Sequence, residues 1–263
     1  MRRSASTVTN RIRDRLPSMA AGLLFILLWE AFCRLLGLAE YILPAPSAIT
    51  AALVRQFDLM LPHIGVTLFT AMSGFILSLL VAAFFSLIMD LFPVLRRALY
   101  PYIVVSQTVP IIFIYPLFLI WFGFGLTAKV VVVVLVCFFP VAVSLIDGLQ
   151  NTDPDLIDLF RGMRAKPLQI FLQVRLPGAL PNLFSGLRIA ATYSVMGAVI
   201  GEWLGAQTGM GVYMMRSYKT FNTPRVFAAI LVVVIVSLMV VAAVSLAERF
   251  FLSWKYANLR SKS

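Results

Sequence analysis

The chain has 263 residues, 61% of them apolar and only 13% charged, with a net charge of +11. A soluble domain is nearer half apolar and a quarter charged, so most of the solvent around this chain is lipid. The basic residues lie between apolar runs, without stacking aromatics on a polar surface; this argues against nucleic acid and for membrane orientation and contact with anionic lipid. One histidine, His63, and two cysteines inside apolar runs, Cys33 and Cys137, leave no material for a metal cluster or a disulfide framework. No nucleophile, base and metal-binding set converges, so no catalytic residue is expected.

The first 18 residues read as a basic cytoplasmic tail. The apolar run that follows resembles a secretory signal, but it is about 20 residues long, carries Trp29, Glu30 and Arg34, and lacks a small-residue cleavage site. It is read as a retained span. Apolar runs predict six spans, at about 19–39, 64–91, 100–124, 128–148, 181–205 and 226–254. A tail from 255 to 263 follows the spanning domain of 19–254. The fold class is therefore all-α, a polytopic transmembrane helical bundle.

Pro101, Pro110 and Pro116 fall in the third span. Proline removes a backbone donor and clashes with the preceding turn, and in lipid a freed carbonyl needs a protein or water partner. This span should be kinked and should face protein. Glu30, in the first span, should form a structural pair.

Orientation follows from Lys and Arg. Arg2, Arg3, Arg11, Arg13, Arg15, Arg96, Arg97, Arg161, Arg164, Lys166, Arg175, Arg188, Arg249, Lys255, Arg260 and Lys262 fall on one side; Arg34, Arg55, Lys129, Arg216, Lys219 and Arg225 fall on the other. The excess places both termini in the cytoplasm. The longest loop on that side, 149–180, is too charged to span and too apolar to be a tether. Asp153 before Pro154 suits a cap followed by proline at the first helical position. Leu156, Ile157, Leu159 and Phe160 give an apolar stripe. A second short helix starts at Pro167, with Leu168, Ile170, Phe171 and Val174 on one side, and Leu176-Pro177 should end it. Bare apolar groups on a cytoplasmic turn need a cover, which marks Leu168 and Phe171 as docking residues.

That loop resembles the EAA loop of bacterial ATP-binding-cassette (ABC) importer permeases, whose pattern is Glu-Ala-Ala, three residues, Gly, nine residues, Ile-x-Leu-Pro. Anchoring on Leu176-Pro177 puts the family acid on Asp158, the family glycine on Arg164 and the family isoleucine on Val174. The glycine is absent here, which bears on a turn needing positive φ. SQTVPIIFIYPLFLIWFGFG from Ser106 and YILPAPSAI from Tyr41 resemble segments of the nitrate, sulfonate and taurine permease group. GLRIAATYSVMGAVIGEWLGAQTGMGVYM from Gly186 is most similar to the branch importing the hydroxymethylpyrimidine precursor of thiamine.

The resemblance implies a MetI-like permease fold in a bacterial inner membrane, with a coupling helix at about 165–171. It implies a homodimer of permease chains, two ATPase subunits that bind ATP and Mg, and an extracytoplasmic binding protein. Asp158, Arg164, Ala165, Lys166, Leu168, Phe171, Leu176 and Pro177 would form the ATPase-coupling segment. No cofactor is expected in this chain, and no phosphate loop of the form GxxxxGK[ST] occurs in it. Taurine, another sulfonate, nitrate and riboflavin remain alternative cargoes. An ion-coupled secondary transporter remains an alternative class; it would need a coupling-ion site and usually internal repeats.

Several residues carry two readings. Gly197, Gly201 and Gly205 share a helix face, suited to tight packing within the chain or to a dimer or pathway seam. Glu202, beside Trp203, is either a gate or substrate contact, or a solvated group near the outer end of its span. Gln107, Pro110, Tyr115 and Tyr193 could line the pathway, a tyrosine ring stacking on a flat heterocycle, or the polar ones could make interhelical hydrogen bonds. Arg164 and Lys166 could meet acidic ATPase residues or simply follow the positive-inside bias.

Overall fold

Helix boundaries here are set by proline and by the lipid-length apolar runs between prolines. In the computed structural model, residues 3–253 are described, with side chains from residue 17 onward. Arg2 and the tail from 255 to 263, with its three basic residues, lie outside the described residues. The elements are α1 (Arg3–Leu35), α2 (Pro46–Leu91), α3 (Pro93–Ser106), α4 (Ile111–Phe122), α5 (Leu126–Gln150), α6 (Pro154–Gly162), α7 (Pro167–Ile170), a π-helical turn (Phe171–Arg175), α8 (Leu176–Trp203), α9 (Met210–Lys219) and α10 (Thr223–Phe251). No strand occurs among the described residues. Among the described residues, five helices are long and apolar enough to cross a membrane, and α3 with α4 makes a sixth crossing if that bent pair counts as one span.

Two expected boundaries move. The second span begins at Pro46, not near residue 64, because the helix continues through Arg55, Asp58 and Pro62, where polar residues dilute the hydropathy signal. The fifth span does not begin afresh at residue 181. Leu176-Pro177 does not end the second short helix; Pro177 lies in the first turn of α8, where a missing N–H costs nothing, and the π turn carries the chain into it. Arg188, counted among the basic residues of the cytoplasmic side, lies inside α8.

The third span breaks as its prolines require: α3 and α4 meet at 101°. Its α4 half faces protein within the chain, with Tyr115 and Phe118 packed against Ala128 and Val132 of α5, whereas its α3 half does not. No residue of α3 is buried, and in α4 only Tyr115 and Phe118 are.

The described residues divide into two compact units. The first comprises Met1–Met60 with Met214–Leu231. In it, Glu30 accepts from the Arg34 guanidinium at 2.6 Å, and from the Ser47 hydroxyl and backbone N–H at 2.7 and 2.9 Å. The expected structural pair is present, and it also places a carboxyl against the open N–H groups of the first turn of α2. Trp29 packs against Phe227 with the two rings tilted by 59° and their centroids 5.9 Å apart.

The second unit comprises Leu61–Tyr213 with Val232–Ser263, and α5 against α8 forms its centre. Small residues let these helices approach. A Cβ on Gly197 would sit 2.9 Å from Val136, one on Gly201 3.3 Å from the Lys129 Cα, and one on Gly205 2.7 Å from Phe124. All three expected packing glycines therefore serve contacts within the chain. The Cys137 thiol donates to the Ala190 carbonyl at 3.2 Å, and Ser86 donates to the Ala142 carbonyl at the same distance. Arg188 reaches the buried Glu248 at 2.9 Å, tying α8 to α10. An acid in a span needs such a partner, and neither residue was singled out from sequence.

Candidate coupling turn and translocation cavity

The segment between α5 and α8 is built from local signals. The Asp153 side chain accepts from the Asp155 N–H at 2.9 Å, and Pro154 starts α6, as the sequence requires. The helix ends in a Schellman arrangement: the Ala165 N–H bonds the Phe160 carbonyl at 3.0 Å, and the Arg164 N–H bonds the Arg161 carbonyl at 2.9 Å. Such an ending needs a left-handed residue, and Arg164 supplies it at φ 57°. This is the position aligned with the family's glycine. The turn survives the loss of glycine, held by its hydrogen bonds, although a side chain in this conformation costs about 1–2 kcal/mol. Arg164→Gly should therefore raise stability by up to about 1 kcal/mol, because glycine also loosens the unfolded chain. Thermal unfolding of the purified variant checks this; a lower melting temperature would contradict it.

Beyond the turn, Pro167 starts α7, and the Gln169 side chain accepts from the Lys166 N–H at 2.7 Å. The four apolar residues expected on one face then separate. Ile170 and Val174 are buried, Leu168 is 66% exposed, and Phe171 is half-buried against Leu145, Leu149 and Ala179. Phe171 is thus largely committed to packing inside the chain, and Leu168 carries the exposed apolar surface with Leu159 and Met163. Asp158 pairs with Arg161 at 3.1 Å, both exposed. Ala165, Leu176 and Pro177 are half-buried.

The turn is anchored by Arg175, whose guanidinium grips both oxygens of Asp90 at 2.7 and 2.8 Å and the Leu149 carbonyl at 3.1 Å. A bidentate fork of this kind fixes position as well as charge. From sequence Arg175 counted only as a loop charge. The available signal was Asp90, a lone acid closing an apolar run.

A second feature lies at the break of the third span. Ser106 and Thr108 donate their hydroxyls to the Ile103 and Val105 carbonyls at 2.7 and 2.8 Å, and the Val105 carbonyl also accepts the Thr108 N–H at 2.9 Å. Pro110 precedes α4. Beside the break is a cavity of about 270 Å³ whose lining includes Ser106, Gln107, Pro110, Leu135, Tyr193 and Met196. Three expected pathway residues, Gln107, Pro110 and Tyr193, therefore come together.

Tyr115, Glu202 and Trp203 do not join them. Tyr115 is fully buried, and its hydroxyl donates to the Gly201 carbonyl. Trp203 is partly exposed. Glu202 is 1% exposed, so it is not the solvated group expected at the outer end of its span. Its carboxyl accepts from the Thr67 hydroxyl at 2.7 and 2.9 Å and from the Gly211 N–H at 2.9 Å. The Met210 N–H donates to the Thr67 Oγ1 at 2.8 Å, and the Gly209 N–H donates to the His63 Nδ1 at 2.9 Å. Three side chains thus satisfy three successive N–H groups at the start of α9. Gly209, at φ 127°, faces Glu202 so closely that any Cβ would collide with the carboxyl. The sequence hid this because it does not show that the chain folds back after Trp203. Among the described residues, no three of His, Cys, Asp and Glu gather as a metal would require.

Comparison with known proteins agrees with this architecture. The family model for the binding-protein-dependent transport system inner membrane component matches residues 74–252. The chain is 36% identical to the formylaminopyrimidine transport permease protein of Halalkalibacterium halodurans, over 89% of this chain and 93% of that protein. It is 30% identical to a riboflavin transport system permease protein of Chloroflexus aurantiacus, over 89% and 88%. A crystal structure of an amino acid ABC transporter shares the fold, with a TM-score of 0.61 at 20% identity, covering 74% of this chain and 95% of that one. The chain belongs to the binding-protein-dependent transport system inner membrane component family and is a MetI-like, multi-pass permease of an ABC importer.

Proposed function

We propose that this chain forms the pathway for a pyrimidine precursor and takes its energy from a separate ATPase docked on the α6–α7 turn. The observation that carries the coupling half is an exposed apolar row, Leu159, Met163 and Leu168, beside Arg161, Arg164 and Lys166 on a rigidly anchored turn. Such a surface suits an apolar groove with an acidic rim. ATP and Mg would bind the ATPase, and an extracytoplasmic protein would deliver the cargo. The positive-side bias supports cytoplasmic termini.

A second copy of the chain fits the exposed α3–α4 break. Polar, non-helical backbone at membrane depth is tolerated only against protein or water, and one chain leaves this one uncovered. The pyrimidine reading follows the similarity to the formylaminopyrimidine permease. Competition in the assembled transporter tests it: unlabelled formylaminopyrimidine should suppress uptake of a labelled hydroxymethyl aminopyrimidine, and taurine should not. Suppression by taurine alone would replace this cargo with a sulfonate.

A further inference from the structure

The cavity at the break of the third span contains no charged side chain in its lining. Its walls are apolar at Val109, Leu135 and Met196, with polar groups only at Ser106, Gln107 and Tyr193. The Ser106 hydroxyl already donates to the Ile103 carbonyl, so it offers only lone pairs. Gln107 and Tyr193 are exposed to the cavity, and their amide and hydroxyl groups make no side-chain hydrogen bond among the described residues. At membrane depth an idle amide is costly unless water or a passing molecule pairs with it.

We infer that this cavity is a way station for an uncharged, flat, one-ring heterocycle, and that its lack of charge is a filter against cargo bearing ionic groups, zwitterions included. This rests on the reading of the chain as a pathway for a pyrimidine. A primary amide presents a donor and an acceptor side by side. An aminopyrimidine edge presents the complementary amino donor and ring-nitrogen acceptor, the pairing by which glutamine reads adenine. The Tyr193 ring supplies a face for stacking. A sulfonate or nitrate would leave water for the same cavity with no cation to meet it, and an unpaired anion in an apolar site is strongly disfavoured. The volume, about 270 Å³, sits at the small end of ligand pockets, as a single ring needs.

The test uses the full transporter, with its ATPase and binding protein, in proteoliposomes. Met196→Cys places a thiol in the cavity wall and leaves Gln107 and Tyr193 in place, and the two native cysteines are buried. Labelling by an uncharged maleimide is followed with formylaminopyrimidine or taurine present. The pyrimidine should slow labelling several-fold, and taurine should leave it unchanged. Tyr193→Ala should lower pyrimidine transport by about tenfold. Tyr193→Phe should restore most of that loss, and copurification with the ATPase confirms assembly of each variant. If the unmodified transporter carries the pyrimidine, yet the thiol is unprotected and Tyr193→Ala transports at full rate, the way station is wrong and the pyrimidine reading stands. Protection by taurine would overturn the charge filter. Transport of taurine and not the pyrimidine would overturn both readings together.

Discussion

Leu168→Asp is expected to leave the permease folded and to abolish transport. Leu168 is 66% exposed, so its replacement should not change the melting temperature measurably. A carboxylate forced into an apolar groove of a partner costs several kcal/mol. A loss of about 3 kcal/mol would weaken docking on the order of 100-fold, enough to lose the ATPase on purification. The contrast is Phe171→Asp. Phe171 packs against Leu145, Leu149 and Ala179, so its replacement should lower the stability of the chain itself. Copurification and thermal unfolding of both variants separate the two effects. A Leu168→Asp chain that holds its ATPase and transports normally would remove the α6–α7 turn from the coupling interface.

The second large effect is expected at Glu202. Its replacement by alanine strands the Gly211 N–H and the Thr67 hydroxyl in a buried place and leaves a void. Unsatisfied buried donors cost about 1–3 kcal/mol, and the lost packing adds to this. A destabilisation of about 3 kcal/mol corresponds to a fall in melting temperature of roughly 6–12 °C for a chain this size. Glu202→Gln keeps the volume and one acceptor oxygen, and should lose less than half as much. An unchanged melting temperature with lost transport would instead make Glu202 a pathway group.

These two residues also show where sequence reading ends. Spans, the loop and its caps are local, so hydropathy, Asp153-Pro154 and Pro167 located them. Pro110 foretold the break, but not its angle or which surface covers it. The helical period put Leu168 and Phe171 on one face; only the π turn after Ile170 and the position of α5 decide which of them is buried. The role of Glu202 depends on the start of α9 returning to Thr67 and His63, 143 and 146 residues away along the chain from their respective partners. No local pattern encodes such a contact. Arg164 is the opposite case: the family's glycine position predicted a positive φ, and the arginine adopts it.

The most direct test is the source of energy. Vesicles containing this chain, its ATPase and a loaded binding protein should take up formylaminopyrimidine only when ATP reaches the ATPase, and dissipating ion gradients should not slow it. Uptake by the chain alone, driven by a proton or sodium gradient without ATP, would contradict the account.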